Sequence, residues 1–152
     1  MPELPTPKAV RWEMGWYNGW SPDERRATLP VQRDAIRSGA ITKPSICSIC
    51  GTDRDVWLHD ERYDRPLEAY AVCRACHRLL HGRFDNPRPW LDLVRRFARH
   101  GEWFELLSLD PACQKRPFYE TYPEGLPPSK VVKRPDGEAI EAERARAKSF
   151  RL

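Results

Sequence analysis

The alternation of apolar and polar positions divides this chain into short pieces. Val56-Trp57-Leu58-His59 reads as a short strand and Ala69-Tyr70-Ala71-Val72 as a second, with Tyr63-Asp64-Arg65-Pro66 in the loop between them. A helix is predicted to begin near Cys73 and Cys76 and to carry His77, Leu79, Leu80 and His81, with Gly82 following. Asn86-Pro87-Arg88-Pro89 opens another helix. On it Trp90, Leu91, Val94, Phe97 and Ala98 share a face, with Asp92, Arg95, Arg96 and Arg99 opposite or on the flanks and Gly101 as the stop. Trp103, Phe104, Leu106 and Leu107 predict one more short buried helix.

Upstream, Ser21-Pro22-Asp23-Glu24 is a helix start in which Ser21 caps, Pro22 fits the first turn and Glu24 completes a capping box. Pro30 predicts an interruption, and a second helical stretch from Val31 to Ser38 ends at Gly39. Trp12, Trp16 and Trp20 recur every four residues and would form one stripe on a helix, which Gly15 and Gly19 weaken. Large aromatics are mostly buried, so an arm packed on the domain is expected; a surface for a protein partner or for self-association is the alternative. After Pro111 come Pro117, Pro123, Pro127, Pro128 and Pro135, an extended proline-rich segment. Phe118, Tyr119 and Tyr122 favour its draping over the domain, and Glu138 to Lys148 carries a charged helical pattern. The expected organisation is an arm over 1–20, a helical lead-in and strand–strand–helix core over 21–84, packing helices over 85–110, and a tail over 111–152. No internal repeat is present. The fold class is α+β.

Composition changes this picture in one respect. The chain has 152 residues, 32% of them charged, and 15 prolines, so its core is small for its length and calls for a staple. The mean hydropathy of -0.73 and isoelectric point of about 8.9 agree with a solvated surface. A net charge of +4 permits phosphate contacts without demanding them. There is no apolar run of membrane-spanning length, and Met1-Pro2-Glu3-Leu4-Pro5 does not open a signal peptide. A cytoplasmic, reducing location is expected, in which paired cysteines mean metal more often than disulfide. Cys113 stands apart and reads as an ordinary free thiol.

Candidate chemistry sits in the middle of the chain. Cys47-Ser48-Ile49-Cys50 and Cys73-Arg74-Ala75-Cys76 are two knuckles whose paired sulfurs each face one point. Together they supply four thiolates and close a tetrahedral shell, which makes a structural site; zinc is the default ion. His77 and His81 are four apart on a predicted helix and share a face, and His59 ends the first strand. If the strands pack on that helix, three imidazoles converge and leave positions open for water and a phosphate oxygen. Taken alone, such histidines are more often ordinary surface residues.

The order Cys47-x-x-Cys50-Gly51, then His59-Asp60-Glu61-Arg62-Tyr63-Asp64-Arg65-Pro66-Leu67, then Val72-Cys73-x-x-Cys76-His77-x-x-x-His81 resembles the HNH endonuclease family, in particular its small four-cysteine members. The likeness covers about residues 31–82. It implies a ββα-metal fold, a hairpin and helix around a catalytic divalent cation (magnesium, manganese, nickel or zinc) with structural zinc at the ends. It further implies that His59, His77 and His81 hold or orient that cation, and that Asp60 stands where the family has the histidine that activates water. An aspartate of ordinary pKa, near 3.9 against about 6.5 for histidine, is the weaker base. Arg62, Arg65, Arg74 and Arg78 lie near the site in sequence and are candidates for DNA phosphates. Two functions follow as expectations: a metal-dependent DNA endonuclease with an altered site, or a zinc-stapled module that binds DNA or protein without cutting.

Overall fold

The computed structural model describes residues 14–129. The predicted Glu138 to Lys148 helix, Trp12 and the end of the tail lie outside the described residues. The protein is a mixed helix-and-sheet fold built on one small antiparallel hairpin. Strand β1, Val56–His59, pairs with β2, Tyr70–Cys73, in the register Val56↔Cys73, Trp57↔Val72, Leu58↔Ala71 and His59↔Tyr70. The second strand therefore runs one residue later than the apolar run predicts, because Cys73 closes the ladder before the chain turns. Helix α2, Arg74–Gly82, follows without a linker and packs back on both strands. Cys73 caps it, its sulfur accepting from the Cys76 amide.

Helix α1, Pro22–Ser38, starts on the predicted capping box: Ser21 Oγ accepts from the Glu24 amide at 3.2 Å, and Glu24 Oε1 accepts from the Ser21 amide at 3.1 Å. It ends at Gly39, whose φ of 81° is the left-handed conformation of a helix stop. The predicted break at Pro30 is not there; the helix runs through it. Pro30 lies on the exposed side, where water can serve the carbonyl its missing N–H leaves unpaired. The inward residues of α1 are polar: Arg25, Thr28 and Gln32, joined by Ala35. Thr28 satisfies itself on the Arg25 carbonyl at 2.8 Å, while Arg25 and Gln32 reach across to the hairpin.

Between Trp16 and Trp20 the chain is not the helix that the tryptophan spacing suggests. Tyr17 and Trp20 pair across a tight turn in which Asn18 and Gly19 both have positive φ, 51° and 90°. Asn-Gly is the residue pair such a hairpin turn selects. A side chain at Gly19 would also collide with the backbone of Arg116, since a Cβ there falls 2.6 Å from its carbonyl oxygen. Trp16 is left exposed, Trp20 lies against Tyr63 and Phe118, and it is Tyr17 that enters the core.

Helix α3, Pro87–Phe97, packs on α2 through Trp90, Leu93 and Phe97. Trp90 and Phe97 are buried and Val94 half-buried, as on the predicted face, but Leu91 and Ala98 are exposed and Leu93, between them in sequence, is buried, because positions 90, 93 and 97 stack at three- and four-residue spacing. The helix stops at Phe97, before Gly101, with Ala98 already extended. The next predicted helix is a single 3₁₀ turn, Trp103–Leu106, that buries Trp103 and Phe104 and leaves Leu106 in solvent. From Pro111 to residue 129, the last described, the chain folds back on the domain. A 3₁₀ turn, Pro111–Gln114, and a short helix α4, Phe118–Thr121, put Cys113, Phe118 and Tyr122 into the core. Tyr119 stays exposed. Tyr70 Oη donates to the Pro127 carbonyl at 2.8 Å and ties the segment to β2.

Trp103 links two parts of the core. Its ring stacks on Tyr70 at 4.0 Å and 8°, lies 6.0 Å from the His59 ring, and donates from Nε1 to Ser48 Oγ at 3.2 Å. Ser48 belongs to the first cysteine knuckle, so one indole spans from the cysteines to His59.

Candidate functional site

Cys47, Cys50, Cys73 and Cys76 are buried and cluster, their sulfurs all within 4.8 Å of one another. No disulfide joins them. The first pair sits in a turn held by Gly51 N–H to the Cys47 carbonyl at 2.9 Å and Cys47 N–H to Thr52 O at 2.8 Å. The second pair spans the end of β2 and the first turn of α2. Cys50 and Cys73 sulfurs stand 3.7 Å apart. Sulfurs about 2.3 Å from a common ion in a tetrahedron would be about 3.8 Å apart, so the donor set fits a four-thiolate metal ion, with zinc compatible. The proximity of the sulfurs sets their protonation against one another. Burial pushes the Cys47 thiol up, but the other three thiols sharing its charge pull it well down. The thiols of Cys73 and Cys76 are pushed up, chiefly by those same shared hydrogen bonds. Thiolates this close to one another are held together by a cation.

His59, His77 and His81 form the second group of potential metal donors among the described residues, again with ligand atoms all within 4.8 Å of one another. The hairpin supplies His59 from the last position of β1; α2 supplies the other two from one face. His77 Nε2 and His81 Nε2 are 2.9 Å apart, and the His59 ring lies 5.0 and 5.2 Å from theirs. His59 is buried, whereas His77 and His81 keep partial exposure. Burial, and then the charge of His59, push the His77 imidazole down to about 3 and hold His81 well below the ordinary histidine range. Both are therefore neutral at ordinary pH, the protonation state a metal ligand requires.

Asp60 and Glu61, adjacent in sequence, part company. Asp60 is buried and turned toward α1, where Gln32 Nε2 donates to its Oδ1 at 2.7 Å and to the Pro66 carbonyl at 3.0 Å. It is not in the histidine group. Burial raises its carboxyl to about 6, against the Gln32 hydrogen bond and the His59 charge, which lower it. Its proton affinity thus approaches that of a histidine. Glu61, also buried, faces His59 instead, with its Oε2 2.5 Å from His59 Nε2. Tyr17 Oη donates to the same oxygen, and Asn18 Nδ2 reaches Oε1 at 3.2 Å. Burial pushes the Glu61 carboxyl up, yet His59, Arg83 and the Tyr17 hydroxyl outweigh it and hold the group below its usual range. The same site raises the Tyr17 phenol well above 10, through burial first and the Glu61 charge second.

The predicted phosphate contacts separate into two kinds. Arg62 lies across the Phe118 and Tyr119 rings and bonds the Tyr119 hydroxyl, with Asp64 at 3.6 Å and Glu68 at 3.8 Å. Arg65 is exposed and pairs with Glu68 at 3.5 Å. Arg74 is exposed and Arg78 half-buried on α2. An arginine distant in sequence comes closer to the histidines: Arg25, from α1, donates to Gly15 O at 2.6 Å and Tyr63 Oη at 3.0 Å, and its charge is felt by His77, His81 and Asp60.

Arg25, Gln32, Tyr17, Arg83 and Trp103 all border the site and were not among the predicted residues. The polar stripe on α1 was the one available signal, since Arg25, Thr28 and Gln32 recur at helical spacing. No family model matches the chain, and neither the curated proteins nor the solved structures yield a match. No described helix is long and apolar enough to cross a membrane.

Proposed function

We propose that this chain is a metal-dependent endonuclease of the HNH type that hydrolyses phosphodiesters in DNA, with a structural zinc at Cys47, Cys50, Cys73 and Cys76 and a second divalent cation at His59, His77 and His81. The observation that carries the reading is the convergence of His59 from the hairpin with His77 and His81 from the helix, directly beside a closed four-cysteine cluster. A cation held by three neutral imidazoles keeps open positions and supplies Lewis-acid stabilisation to a phosphoryl oxygen. The chain's own residues orient the reaction. Arg25 adds fixed positive charge at the histidines, Arg74 and Arg78 offer donors on the outer side of α2, and Asp60 stands as the base toward water. With a pKa of about 6 Asp60 is ionised at neutral pH and less handicapped than an exposed aspartate.

One observation favours a second reading, a zinc-stapled module that binds DNA or protein without cutting it. The Asp60 carboxylate is committed to Gln32 at 2.7 Å, and loss of a general base costs roughly a hundred- to ten-thousandfold in rate. A plasmid-nicking assay with magnesium, manganese, nickel or zinc separates the two. Nicking by the wild type that is lost in His81→Ala supports the enzyme. An inert wild type that gains nicking in Asp60→His supports the binding module.

A further inference from the structure

We propose that Glu61 is the positioning residue of the histidine site: it accepts a hydrogen bond from His59 Nε2 and so fixes the tautomer and ring orientation in which His59 offers Nδ1 to a divalent cation. The inference deepens the nuclease reading and rests on it. An imidazole donates from one nitrogen and ligates through the other, so the partner of the first nitrogen decides which lone pair faces the metal. At His59 that partner is a carboxylate oxygen 2.5 Å from Nε2, with both side chains almost wholly buried, 2% and 0% exposed. No water competes for either group at that exposure.

Glu61 is itself built in. Its Oε2 takes the Tyr17 hydroxyl as well as His59, and its Oε1 takes Asn18 Nδ2 at 3.2 Å, while Asn18 Nδ2 also bonds the Glu61 carbonyl at 2.9 Å. Tyr17 in turn accepts from Arg83 Nη1 at 3.1 Å, and Arg83 is locked to the Leu80 and Ser108 carbonyls, each at 2.8 Å. Both carboxylate oxygens are thus engaged by protein donors, and Glu61 stands outside the donor group that the three histidines form. A ligand role would need a free oxygen; a positioning role needs a fixed one. The turn Tyr17–Trp20 carries two of the three groups that fix it, which gives the N-terminal arm a part in the site.

The test has three readouts. Long-range ¹⁵N–¹H NMR of the zinc-loaded, otherwise metal-free protein reports the His59 tautomer; the Nε2-protonated form is expected, and an Nδ1-protonated form overturns the proposal. Calorimetric titration with Mn²⁺ or Co²⁺ is expected to show a roughly 10- to 100-fold weaker histidine site in Glu61→Ala, with partial recovery in Glu61→Gln, whose carbonyl still accepts. Undiminished affinity in a Glu61→Ala protein that retains one zinc per chain overturns it. Should Glu61→Ala fail to fold, Tyr17→Phe, which deletes one hydroxyl, is expected to weaken Mn²⁺ binding by a smaller factor; unchanged affinity there, or a wild-type tautomer of the wrong kind, overturns the proposal. A wild type that binds no second cation removes the nuclease reading and this one together, whereas a wild type that binds and cuts while Glu61→Ala binds equally well removes this one alone.

Discussion

The cysteine cluster and the histidine cluster share a strand pair and a helix, yet they are built on opposite plans. The four cysteines are alike, sealed from solvent, and held by nearby backbone in two short turns. Their surroundings add little beyond Trp103 against Ser48. His77 and His81 keep partial access beside a buried His59, and their setting is drawn from across the described residues: Tyr17 and Asn18 from the arm, Arg25 and Gln32 from α1, Arg83 beyond α2, Trp103 from the segment after α3. A closed shell of identical ligands needs only short-range geometry. A site with open positions needs its protonation states and ring orientations set from outside, which takes partners from many elements.

The contrast is broken most directly at the cysteines. Cys76→Ser, or a strong chelator, is expected to unfold the domain by circular dichroism, since structural zinc in small domains contributes on the order of 10 kcal/mol; a cooperative melt retained at the wild-type temperature would sink the staple. Trp103→Ala comes next, with an expected loss of about 3–5 kcal/mol in denaturant unfolding. Because the indole touches both neighbourhoods, zinc retention and Mn²⁺ affinity should fall together; a loss confined to one would uncouple the regions. His81→Ala sharpens the comparison. Stability should change by less than about 2 kcal/mol while nicking drops on the order of a hundredfold or more, so that function and folding part at one residue.

The effect that builds up only gradually is in the pH dependence. Folded His77 has its pKa lowered to about 3, and His81 is also lowered. Unfolded histidine titrates near 6.5, so below that pH the unfolded chain binds protons that the folded chain refuses. Stability is then complete above about pH 6.5 and falls as pH drops toward the folded values, by up to about 1.4 kcal/mol per pH unit for each histidine. Urea unfolding of the zinc-loaded protein with the histidine site vacated, compared with His77→Gln, isolates this slope. Equal slopes between pH 6.5 and 5 would show that His77 is not held neutral.

Local patterns were legible where the physics is local. The capping box at Ser21 and Glu24, the stop at Gly39, the strand Val56–His59, the cysteine knuckles and the shared face of His77 and His81 all depend on residues within a few positions. Pro30 misled because an exposed proline can be carried by a helix anchored at both ends. The tryptophan spacing hid the stronger signal of Asn18-Gly19, a turn that buries Tyr17 and not its neighbours. Leu91 was expected on the buried face and is exposed, whereas Leu93 is buried with Trp90 and Phe97, the three- and four-residue spacing that a helix face follows. The partners of Glu61 and Asp60 could not be read at all, since Tyr17 is 44 residues from Glu61 and Gln32 is 28 from Asp60.

The seat of Trp103 bears on how the molecule comes into being during synthesis. Both knuckles are complete once Cys76 has emerged, and the last histidine of the cluster follows with His81. The indole that packs them, the Ser108 carbonyl that locks Arg83, and the Tyr122 hydroxyl that bonds the Ser108 amide arrive only later. A chain released from its N-terminus first therefore presents metal ligands before it presents the walls around them. A metal ion arriving at that stage would meet a cluster still uncovered on the side that Trp103 and Ser108 later close.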